Sequence, residues 1–176
     1  MSTYTGEVIP GYDVWKTAWQ EAWARTGFRV QTFISVPLLI LALMTVSRFL
    51  LFVENRPGVE LVDPLLNLFA PKDVTWITFG LIYGALLLVI PTLLHTPSRI
   101  IFGVQVYTVL ITFRMAAMYL LPLEAPSTTI VLSDPVVELW TTASKPLTKD
   151  LFFSGHTSTL FMLYLCALTP KIKRLL

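Results

Sequence analysis

Four long apolar stretches alternate with polar, proline-rich text along this chain. Val30 to Val53 is the first, interrupted by Pro37 and carrying Arg48 near its end. Val74 to Leu94 is the second and holds no charge, whereas Ile100 to Leu121, the third, holds Arg114 alone. Leu151 to Leu168 is the fourth. About 20 apolar residues suffice to cross the hydrocarbon of a bilayer, so the pattern predicts four membrane-spanning helices. Arg48 is close enough to a helix end to snorkel to the interface. The connections are an acidic, proline-containing loop from Glu54 to Asp73, a tight turn at His95-Thr96-Pro97-Ser98-Arg99, and a longer loop from Pro122 to Asp150.

The text before the first apolar run is of another kind. Met1 to Pro10 reads as irregular and exposed. From Asp13 onward Trp15, Trp19 and Trp23 recur every four residues, which places them on one helical face with Lys16, Gln20 and Glu21 turned away. Such a stripe predicts an interfacial amphipathic helix with its indoles at headgroup depth. A soluble core helix would show the same stripe, but beside so apolar a chain the interfacial reading is preferred. The organisation expected is an N-terminal segment over residues 1–29 and a transmembrane domain over 30–176. No secretory signal peptide is evident, and the first span is expected to serve as the insertion signal.

Composition supports the membrane class. The chain has 176 residues, 55% hydrophobic and 14% charged, with a mean hydropathy of +0.68, against about 25% charged in soluble domains. A net charge of +2, spread thinly, argues against nucleic acid as a partner. Four spans put both termini on one side, with Lys16, Arg25, Arg29, Arg99, Lys171, Lys173 and Arg174. Arg48, Arg56, Lys72, Lys145 and Lys149 fall on the other. Basic residues favour the cytoplasm, so the termini are expected there and the two long loops outside, in the periplasm or extracellular space. Cys166 is the single cysteine and says nothing about redox compartment.

Candidate chemistry concentrates at the start of the fourth stretch, in Lys149-Asp150-Leu151-Phe152-Phe153-Ser154-Gly155-His156-Thr157-Ser158-Thr159. Gly155 permits a sharp turn and close approach of another group to the backbone. Ser154 or Asp150 can cap the following helix, whose first N–H groups and dipole form an anion site. His156 lies within that site as a proton donor or acceptor. The plainer alternative is a Ser/Thr-rich helix cap with a chance histidine. Arg114 is the second informative residue, because a guanidinium within a span needs a partner or a polar cavity, and its planar fork suits phosphate oxygens. It lies near the outer end of its helix, the end that also carries His156, and Tyr107 shares its face. A structural salt bridge is the alternative, with Glu124 the nearest acidic residue that follows it in sequence.

Ser-Gly-His at a membrane helix start resembles the kernel of the type 2 phosphatidic acid phosphatase superfamily. The longer form Lys149-Asp150-x-x-x-Ser154-Gly155-His156-Thr157 is most similar to the sphingomyelin synthase-like branch, whose motif has Gly where this chain has Lys149. Looser similarity extends to Arg114-Met115-Ala116-Ala117-Met118, to Leu121-Pro122-x-x-x-Pro126, and to the loop containing Arg56-Pro57-Gly58, Asp63-Pro64-Leu65-Leu66 and Pro71-x-Asp73. In all it covers roughly residues 48 to 169.

The resemblance implies an all-α integral membrane bundle of six helices, of which this chain would supply four. It implies a lipid phosphatase or phosphotransferase working through a phosphohistidine, with membrane phospholipid or sphingolipid substrates and no cofactor or metal. His156 would be the general acid/base. Arg114, Lys149, Asp150, Ser154, Gly155 and Thr157 would bind the phosphate. The family's nucleophile lies on a later His-x-x-x-Asp segment, so these residues read as an incomplete stretch of a longer protein. His95, the other histidine, falls at the opposite membrane face, where it is expected to be a helix-end residue. The competing reading is a non-catalytic membrane protein that binds lipid head groups or a partner subunit.

Overall fold

The structure is a computed structural model that describes residues 12–61, 70–126, 129–130 and 147–167. The expected N-terminal lead, Asp63-Pro64-Leu65-Leu66 of the first loop, Pro135, Lys145 and Pro146 of the second, and Lys171, Lys173 and Arg174 lie outside the described residues. Helix α1 spans Tyr12–Ala24, α2 Thr26–Asn55, α3 Thr75–Leu93, α4 Pro97–Leu120 and α5 Gly155–Cys166. Two short strands, β1 (Val59–Glu60) and β2 (Leu123–Glu124), pair in parallel with Val59 opposite Leu123. They tie the loop after α2 to the loop after α4.

Helices α2, α3 and α4 are each long and apolar enough to cross a membrane. Their outward faces suit an apolar solvent. Phe33, Trp76, Leu87, Phe113 and Leu120 are exposed over most of their surface, an arrangement that a water-soluble fold avoids in contiguous patches. Polar side chains inside the helices satisfy themselves locally: the hydroxyls of Thr32, Thr45, Ser47, Thr108 and Thr112 donate to the carbonyl one turn back. A polar contact joins α4 to α2, Gln105 Nε2 donating to the buried Ser35 Oγ at 2.9 Å. In lipid such bonds help to fix which helix faces meet.

The packing sets α2 against α4, and α5 against both α3 and α4. Ala85, Val89 and Leu93 repeat every four residues on α3 and bury against Leu163 and Ala167 at the far end of α5. Helix α1 does not stand apart. Trp19 donates its indole N–H to the Leu94 carbonyl at 2.9 Å, and Trp19 and Trp23 both meet Phe28 edge-on. Trp19 and Trp23 thus seat α1 on the start of α2, and Trp19 also on the turn between α3 and α4.

The fourth apolar stretch begins its helix four residues later than its composition indicates, at Gly155 rather than Leu151. Two contacts account for this. Ser154 Oγ accepts the N–H of Thr157 at 3.3 Å and so caps the helix there. The Phe153 carbonyl accepts from Arg114 Nε at 3.1 Å, which holds the preceding backbone outside the helix. The described helix has 12 residues, short of a membrane span.

Candidate functional site

Residues 36 positions apart build the site. Arg114, two turns before the end of α4, projects toward the start of α5, where its Nε bonds the Phe153 carbonyl and its Nη2 forms an ion pair with Asp150 Oδ1. The partner is therefore Asp150 and not Glu124, because the segment from 147 to 154 folds back across the end of α4. The pair is largely buried, with 13% of the Arg114 side chain and 28% of the Asp150 side chain exposed. A guanidinium so placed requires this pairing, since an unpaired charge there costs several kcal/mol.

Gly155 completes the seat. A Cβ on this residue would lie 2.7 Å from Arg114 Nη1 and 2.8 Å from Cζ. The guanidinium lies flat over a backbone that only glycine leaves bare. The first turn of α5 points N–H groups at the same region. His156, one residue on, sits exposed with its ring 5.2 Å from that of Phe79 in an edge-on contact. Phe79 belongs to α3, so the imidazole is braced between two helices.

Arg114, Asp150, Gly155 and His156 form the polar end of a cavity of about 550 Å³. Most of the rest of its wall is apolar, with Phe79, Ile82 and Leu86 from α3, Gly103 and Val104 from α4, and Met162 and Leu163 from α5, while Tyr83 and Thr159 add hydroxyls. Tyr107, on the Arg114 face, also lines it. The size falls within the range typical of small-molecule sites, which combine apolar walls with a few convergent polar groups.

Not every candidate residue reaches this cavity. Ser154 and Thr157 are engaged with each other at the helix cap, where Thr157 Oγ1 also bonds Ser154 Oγ at 3.2 Å. Lys149 turns to the loops after α2 and α4. Its ammonium lies 2.9 Å from Glu124 Oε1 and 2.8 Å from the Arg56 carbonyl. His95 is in the turn after α3, whereas Phe79, the partner of His156, is near the start of that helix. Sixteen residues of largely helical chain separate them, about 24 Å.

A neighbouring polar network carried little signal in the sequence. Glu54, at the end of α2, accepts from the Thr148 N–H and hydroxyl at 3.0 and 2.6 Å and from the Lys149 N–H at 3.1 Å. Arg56 donates to the carbonyls of Met118 and Tyr119 at 2.7 and 2.9 Å, satisfying the last turn of α4. Glu54 thereby fixes the backbone immediately before Asp150. A charged residue on each side of a helix end is a weak hint in sequence, because the partners lie 62 to 95 residues away. Among the described residues no group of three or more His, Cys, Asp or Glu side chains is placed to hold a metal ion.

Compared with protein-family models, with curated proteins and with solved structures, the chain matches none.

Proposed function

We propose that this end of the bundle binds the phosphate of a membrane-resident phosphate ester, with Arg114 as the charge clamp and His156 as the proton donor or acceptor. The observation that supports the reading most is the seat of Arg114: oriented by Phe153 and Asp150, laid over Gly155, and opening with His156 onto an apolar cavity. An oriented guanidinium offers bidentate contact to phosphate oxygens, and the N-terminus of α5 adds N–H donors and a favourable dipole. An imidazole beside them can protonate a leaving ester oxygen.

In the complete reaction the reading is that of a lipid phosphatase or phosphotransferase. The bond from phosphorus to the ester oxygen breaks as a nucleophilic imidazole attacks phosphorus, and His156 gives its proton to the departing oxygen. The phosphohistidine then passes its phosphoryl group to water or an alcohol, while His156 takes a proton from that acceptor. The attacking imidazole is not among the residues gathered here, since His95 is about a helix length away. Four spans, cytoplasmic termini, an interfacial role for α1 and an outward-facing site belong to the same proposal.

The second reading, head-group binding without turnover, is favoured by the ion pair that already engages Arg114. One experiment separates the two. The chain in phosphatidylcholine nanodiscs, with free imidazole supplied in place of the attacking histidine, is incubated with radiolabelled dodecyl phosphate, and bound ester and released dodecanol are both measured. Binding that Arg114→Gln removes, with release that His156→Ala removes, supports the enzyme. Binding without release supports the head-group reading, and equal retention by all three proteins defeats both.

A further inference from the structure

The cavity below Arg114 has a length as well as a volume. Its wall on α4 runs from Arg114 back to Ile100, fourteen residues, and on α3 from Phe79 to Leu93, each about 21 Å of helix axis. Leu93, Ile100 and Cys166 close the far end, where they join the packed cluster of Ala85, Val89, Leu163 and Ala167. The shape is a slot: charged at one end, mostly apolar along its walls, and ending on that packed cluster. One wall position stands out. Gly103 lines the slot, yet a Cβ built there meets nothing within 4 Å. Glycine is a poor residue for the middle of a helix, by about 1 kcal/mol relative to alanine, and here no neighbouring backbone or side chain requires it. The space it leaves belongs to the slot, eleven residues or about 16 Å from Arg114.

We propose that the slot takes one hydrocarbon chain of an anionic amphiphile whose phosphate sits at Arg114, and that Gly103 sets the chain length accepted. This rests on the phosphate-binding reading above. Outside the protein the chain is already in lipid, so its entry gains little from the hydrophobic effect, and selection falls to fit. A chain too short leaves the far end unfilled, and one too long cannot seat its head group. Tyr107, between Gly103 and Arg114 on the same lining, marks the region that every chain must pass.

The test uses octyl, dodecyl and hexadecyl phosphate, with dodecanol as the tail without a head. Affinities are measured for the chain in phosphatidylcholine nanodiscs and referenced to empty nanodiscs. Gly103→Leu should weaken hexadecyl phosphate roughly tenfold or more relative to octyl phosphate, the discrimination typical of a single misfitted methylene or more in an apolar pocket. Octyl phosphate should stay within about twofold, which also shows that the variant is folded. Gly103→Ala should produce a smaller change of the same sign, and it carries the test if the leucine variant does not fold. Equal weakening of all three esters, or none, overturns the slot while leaving the head-group site intact. Dodecanol binding as tightly as dodecyl phosphate, or binding of the esters that survives Arg114→Gln, overturns the phosphate reading itself.

Discussion

Two arginines serve the C-terminal end of α4, Arg114 from within it and Arg56 from the end of α2, and they are used in opposite ways. Arg56 spends its guanidinium on the carbonyls of Met118 and Tyr119 and lies 5.8 Å from the ring centres of both Phe52 and Tyr119. Every one of those contacts closes the end of a helix. Arg114 bonds a single carbonyl and one carboxylate, and its remaining surface covers a bare glycine at the mouth of a cavity. Both are charges made tolerable by partners. The difference is what lies beyond the partners: protein in one case, space in the other. Two glycines repeat the contrast. A Cβ at Gly58 would meet the Leu123 backbone at 2.6 Å, which cannot yield, whereas at Gly155 it would meet the tip of an arginine, which can.

The sharpest way to break the comparison is to remove each guanidinium. Arg114→Gln should reduce dodecyl phosphate affinity by about a hundredfold, equivalent to about 3 kcal/mol, and destabilise the fold by about 2 kcal/mol through the orphaned Asp150. Arg56→Gln should leave affinity within about threefold while costing about 1–2 kcal/mol of stability. Titration calorimetry and thermal unfolding of the same samples read both. Arg114→Lys should fall between, because it keeps the charge and loses the fork.

The glycines come next. Gly155→Ala should lower affinity about tenfold by lifting the guanidinium off its seat, with unfolding little changed, since the residue is not in the left-handed region. Gly58→Ala should do the reverse, costing about 1–3 kcal/mol by forcing the two strands apart and sparing affinity. Glu54→Gln removes a carboxylate that accepts three bonds from residues 148 and 149. It should cost about 1 kcal/mol and loosen Asp150, seen as a modest affinity loss that Glu54→Asp restores in part.

The smallest effect concerns Asp73, whose carboxyl is held below its ordinary value by hydrogen bonds from the Thr75 side chain and N–H. A lowered folded-state value means that its contribution is present above about pH 4 and is lost as pH falls through the lowered value. Unfolding scans of wild type and Asp73→Ala should therefore differ slightly at neutral pH and converge in acid.

Much of this frame was legible in the sequence because composition alone specifies it. The apolar runs beginning at Val30, Val74 and Ile100 became α2, α3 and α4 with ends shifted by only a few residues, since nothing but a helix satisfies backbone within so apolar a stretch. The four-residue tryptophan spacing likewise became one face of α1. The site was legible in its parts and not in its wiring. Ser154, Gly155 and His156 stand together in the chain, and Arg114 announces itself by its cost. That Asp150 would take Arg114 while Glu124 takes Lys149 depends on how two loops cross, a long-range fact with no local signature. The late start of α5 has the same origin, because Arg114 holds the Phe153 carbonyl out of the helix. Gly103 gave no signal at all until the space beside it was seen.

The central claim, that phosphate binds at Arg114 beside His156, can be tested on the two histidines of the chain directly. With isotope-labelled histidine, the chain in nanodiscs should give two imidazole signals, assigned with His95→Gln. Adding dodecyl phosphate should move the His156 signal while that of His95 stays put. Movement of both signals to the same extent, or of neither, would contradict a phosphate site at the start of α5.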